Sequence, residues 1–161
     1  MPYPPFISPR SPSYERSIWE RKHPTFTGDP EVIALFARLS EAEENAREAC
    51  AKVAQRLTDD IVGAQVRDGA EMHRTRRAAL AELIEALGGS APRLEECREL
   101  LPHAAQAIAS AEYDSRAAMT ALGVMRTELS AAYAEAFRSP CLDAAQRASL
   151  VELAPFASDA S

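Results

Sequence analysis

The run from His73 to Pro92 constrains the fold more than any other stretch of this chain, because it reads as a helix with a buried face and a defined end. Leu80, Leu83 and Leu87 recur at the alternating three-and-four spacing of one buried helix face. Gly88 and Gly89 can take the left-handed conformation that closes a helix, and Pro92 prevents its resumption. Followed backwards, the same stripe passes through Arg76, His73 and Gly69. A guanidinium and an imidazole on a core seam are costly unless paired, so the stripe predicts either a buried polar cluster or a working site.

The rest of the chain extends this helical pattern. Thr27-Gly28-Asp29 offers a cap and Pro30 suits a first turn, so a helix is expected from residue 30. Along it, Phe36, Leu39, Glu43, Ala46, Cys50, Val53 and Leu57 form one stripe. The wholly apolar neighbouring stripe, Val32, Leu35, Leu39, Ala42, Ala46, Ala49 and Val53, puts Glu43 on its shoulder. Thr58-Asp59-Asp60 should break this helix and cap the next, which runs to Leu87. A third stretch opens at Pro92 with Leu94, Cys97, Leu100 and Leu101, and Pro102 forces a kink or a fresh start. Beyond it Ala105, Ile108, Glu112, Ser115, Met119, Leu122, Leu129 and Tyr133 share one face, which predicts a single long helix to Ser139-Pro140. A short last helix before Pro155 completes the set. No alternating β-branched run appears, so the expected class is all-α, three long helices and a short one packed up and down.

Seven of the 11 prolines lie in the first 30 residues, together with Tyr3, Phe6, Tyr14, Trp19 and Phe26. Residues 1–29 therefore read as a proline- and aromatic-rich arm, 30–155 as the bundle and 156–161 as a tail. Linkers are poor in aromatics, so the arm, Trp19 included, is expected to dock on a surface of this chain, a second copy or another protein.

A net charge of −6 makes nucleic acid a poor partner. Arg74, Arg76 and Arg77 are a local exception, read as a solvated helix face with one residue turned inward. Cys50, Cys97 and Cys141 are odd in number and widely spaced, which argues against a disulfide framework or a structural zinc site. Cys50 reads as core, and Cys141, after a proline, as the thiol with access to solvent. No bilayer-spanning stretch and no export signal is visible, so no membrane partner and a cytoplasmic location are expected.

Three segments resemble the ferritin-like superfamily of four-helix bundles, particularly its small bacterial branches of unknown function. Glu43-x-x-Ala46-x-x-Ala49-Cys50 is similar to that family's first-helix motif. Leu80-x-x-Leu83-Ile84-x-x-Leu87-Gly88-Gly89-x-x-Pro92 resembles the exit of its second helix, and Glu112-x-Asp114 before Ala117 and Ala118 its third-helix carboxylate region. The resemblance covers residues 31 to 153 and implies a ferritin-like up-and-down bundle. Metal-binding members carry Glu-x-x-His on the second helix, the histidine twelve residues before the double glycine. Here Arg76 takes that place and His73 the place of the glutamate, while the last helix has Glu152 and no histidine. What remains of a metal site is Glu43, His73 and Glu112.

Arg76 competes with any metal for those carboxylates, since its charge is permanent and its fork bidentate. Glu43, His73, Arg76 and Glu112 are accordingly expected to form a buried polar cluster. The function expected is that of a non-catalytic bundle acting as a homodimer or on a protein partner, with no cofactor. The alternative is a ferritin-like metal carboxylate protein binding iron or another transition metal, with iron-handling, oxidase or peroxidase activity. A weaker alternative is a helical chaperone or secretion-linked adaptor.

Overall fold

The computed structural model describes residues 28–154. Residues 1–27 of the arm, Trp19 included, and the tail fall outside them. Helix α1 spans Pro30–Arg56; the Asp29 side chain accepts the Glu31 N–H at 2.8 Å and Pro30 occupies the first turn. Helix α2 spans Asp60–Ala86 and is capped by Asp59, which accepts the N–H groups of Ile61 and Val62. Its end is closed as the double glycine requires. Gly88 has φ 87°, and the N–H groups of Gly88 and Gly89 donate to the carbonyls of Glu85 and Ile84, each at 2.9 Å.

Helices α1 and α2 form an antiparallel hairpin. The backbone at Gly28 touches the end of α2 so closely that a Cβ there would lie 2.1 Å from the Leu87 carbonyl oxygen. The stretch after Pro92 does not become a helix: only Leu94–Glu96 forms a 3-10 turn, and Leu94 is exposed. The connector is instead strapped to α1 by polar groups. Asn45 accepts the Leu100 N–H at 2.7 Å and donates to the Arg98 carbonyl at 3.1 Å, while the Arg98 guanidinium pairs with Glu41 at 2.9 Å.

Helix α3, Pro102–Ala111, starts afresh at its proline and is capped from a distance. Glu128 accepts the N–H groups of His103 and Ala104 at 3.0 and 2.8 Å, with His103 Nδ1 at 2.7 Å. Helix α4, Ser115–Phe137, runs back against α3 and antiparallel to α1, and α5, Ala144–Leu153, opens with an Asp143–Gln146 capping box. The long third helix expected from the shared face is thus two helices. Asp114 caps α4 by accepting the N–H groups of Arg116 and Ala117, and Glu112 sits between the helices with φ 47°. Gly123, by contrast, passes through the interior of α4 without a break.

The described residues are all-helical, with no strand among them. Helix α1 is the axis of the assembly: α2, α3 and α4 all pack on it, and Leu39, Ser40, Glu41, Ala42, Glu43 and Glu44 are buried in succession. Six consecutive buried residues cover every face of a helix, which is why both stripes read from the sequence are interior. Among the described residues no helix is long and apolar enough to cross a membrane.

A buried carboxylate cluster as the candidate functional site

Glu43 lies in the middle of α1 and its side chain is completely buried, at the centre of the face rather than on its shoulder. A carboxylate there needs donors on both oxygens. His73, at the midpoint of α2, places Nδ1 2.6 Å from Oε2. Tyr133, near the end of α4, donates its hydroxyl to Oε1 at 2.6 Å. Both carboxyl oxygens thus have a hydrogen-bond partner inside the core. One side chain therefore ties three helices together.

The Arg76 guanidinium approaches Glu43 Oε1 to 4.0 Å and is 15% exposed. That is an ion pair at the edge of contact and not the bidentate fork expected from the sequence. The cation nonetheless offsets the charge that Glu43 brings into the interior. Tyr133 titrates far above the ordinary tyrosine range: burial is the main cause, the Glu43 charge and hydrogen bond add to it, and Arg76 opposes it. Its phenol is accordingly held as a donor.

A second buried carboxylate, Glu44, faces the neighbouring side of α1. It pairs with Arg47 at 2.6 Å and with Arg77 of α2 at 3.7 Å. The hydrogen bond to Glu44 raises the Arg47 pKa above its usual value. Of the basic run on α2, Arg74 is exposed beside Glu71, whereas both Arg76 and Arg77 turn inward, one more than the spacing indicated.

Glu112 does not join the cluster. It is exposed at the turn between α3 and α4. That turn abuts the far end of α1, where Arg56 donates to the Ile108 carbonyl and Ser115 donates to the Arg56 carbonyl at 3.2 Å. Thirteen residues of helix separate Arg56 from Glu43, about 20 Å at 1.5 Å per residue. The place assigned to Glu112 is filled by Tyr133, which lies on the same stripe as Leu122 and Leu129. Its signal was a phenol on a buried stripe, a group that has to find a polar partner.

Among the described residues, those around Glu43 do not make up the donor set of a di-iron centre, which takes about six ligands, mostly carboxylates. Glu43 and His73 meet each other, a protonated phenol holds the remaining Glu43 oxygen, and a guanidinium stands beside it. Among the described residues no group of three or more His, Cys, Asp or Glu side chains is arranged to hold a metal ion. Cys50 is buried against α2, and burial chiefly, with Glu43 adding, pushes its thiol pKa up, so it is a poor nucleophile. Cys141 is half-buried, with the Ser139 hydroxyl 3.0 Å from its sulfur.

Comparison with protein-family models, curated proteins and solved structures finds no match to this chain.

Proposed function

We propose that this chain is a non-catalytic helical bundle, of the ferritin-like up-and-down kind, that acts by associating with itself or with another protein. The observation that supports this reading is the closure of Glu43 by Tyr133 and His73 inside the core, with Arg76 beside it. A carboxylate with both oxygens occupied by protein donors, and shut away from solvent, is arranged to hold helices in register rather than to meet a substrate. The antiparallel courses of α2 and α4 along α1 are what an up-and-down bundle requires.

The alternative, a metal carboxylate protein, draws on the meeting of Glu43 with His73 across two helices. Metal analysis of protein purified without chelators separates the two. The proposed reading expects no stoichiometric iron, manganese or zinc, together with a dimer or a defined complex by light scattering. One transition metal per chain, lost on Glu43→Ala or His73→Ala, would replace it with the alternative.

A further inference from the structure

A cleft of about 420 Å³ lies between the first half of α1 and the last half of α4. Leu35, Leu39 and Leu100 supply apolar walls, and Arg38, Glu128 and Glu135 stand among its lining groups. It is separate from the Glu43 cluster, whose residues do not line it. A concave surface of mixed apolar and polar lining suits an aromatic side chain carried by a segment with charged neighbours.

We infer that the occupant of this cleft is the chain's own segment from Tyr14 to Phe26, with Trp19 as its anchor. Three observations carry the inference. The first is reach. The cleft begins at Leu35, about 9 Å along α1 from Asp29, on the opposite side of that helix from Leu87, which Gly28 touches. Passing around a helix about 10 Å wide and along it needs about 25 Å, and the residues from 19 to 27 span about 30 Å when extended. The second is composition. The segment holds Tyr14, Trp19 and Phe26, including the only tryptophan of the chain. The third is charge. Residues 14–26 carry Arg16, Arg21 and Lys22 against Glu15 and Glu20, a net positive segment in a chain of net charge −6, and Glu135 offers the opposite sign at the cleft, where Glu128 also caps α3 and Arg38 carries a like charge. Attachment through Gly28 gives the segment a high effective concentration at its own cleft, which favours this occupant over the same segment of a second copy. The inference stands whether or not the bundle is catalytic.

Trp19 fluorescence in the full chain tests it, because no other tryptophan contributes. The intact protein should show blue-shifted emission and protection from acrylamide. Ala131→Arg places a long cation at the cleft from an exposed position of α4, and Thr120→Arg is a matched exposed control outside it. Ala131→Arg should shift the emission to that of a solvated indole and raise quenching several-fold, with helical circular dichroism and mass unchanged; Thr120→Arg should leave Trp19 as it was. Should Ala131→Arg lose helicity, Glu135→Lys, which reverses a charge at the cleft, is read in its place and should give a smaller shift of the same sign. A solvated Trp19 in the intact protein, or an unchanged Trp19 in a folded cleft variant, overturns the inference. Exposure of Trp19 on dilution, together with a halved mass, overturns it in favour of a second copy.

Discussion

Tyr133 of α4 donates its hydroxyl to Glu43 of α1 across 2.6 Å, and solvent reaches neither side chain. The other Glu43 oxygen is held by His73 of α2, so the relative positions of three helices converge on one carboxylate. A slip of α4 by one turn would carry the phenol about 5.4 Å away and leave a buried charge short of a donor. Charge-assisted hydrogen bonds contribute about 1.5–3 kcal/mol each, and an orphaned buried charge costs more, so the penalty for the wrong register exceeds the net stability that the right one supplies.

The phenol of Tyr133 gives the bundle a dependence on alkaline pH. Its folded pKa lies above the unfolded value of about 10, so the stability it contributes is fully present below that value and is lost as pH rises above it. Absorbance at 295 nm should show one tyrosine that ionises only as helical circular dichroism collapses. In Tyr133→Phe that late component should vanish. Ionisation of all tyrosines with the helices intact would contradict the burial of this hydroxyl.

At the turn between α3 and α4, Glu112 has φ 47° without being glycine, a conformation that costs about 1–3 kcal/mol. Its side chain is exposed. Glu112→Gly is therefore expected to raise the urea midpoint, with a gain of about 1 kcal/mol. If Glu112 instead contributed to the core cluster, as its spacing from Ile108 and Ser115 suggested, the same change would destabilise the protein.

The two long helices and their ends were legible because local chemistry decides them: Asp29 with Pro30, Asp59, and the Gly88-Gly89 closure each act within a turn of the chain. His73 and Arg76 were legible as inward-facing because they interrupt a leucine stripe. The break at Glu112 was not, since the apolar spacing runs through it without a change of phase. Only the Asp114 cap, a residue type also common on exposed helix faces, marks the site. Helical periodicity also assigns faces to each helix separately. It left Glu43 on a shoulder because the periodicity of α1 alone does not show that α2 and α4 meet over that position, bringing His73 and Tyr133 to its carboxylate. Tyr133 was read as core for a related reason: its position was correct, and only the tertiary structure shows which carboxylate its hydroxyl meets.

The most direct test of the account is a double-mutant cycle between Glu43 and Tyr133, with Glu43→Leu, Tyr133→Phe and the pair measured by urea unfolding. Residues that meet in the core should couple by about 1–3 kcal/mol, the pair losing less stability than the two single changes together. Tyr133→Phe alone should cost about 1–3 kcal/mol by removing the hydrogen bond to Glu43 Oε1. Losses that add to within about 0.5 kcal/mol would mean that the two side chains do not share a hydrogen bond, and the cluster at the centre of this account would not exist.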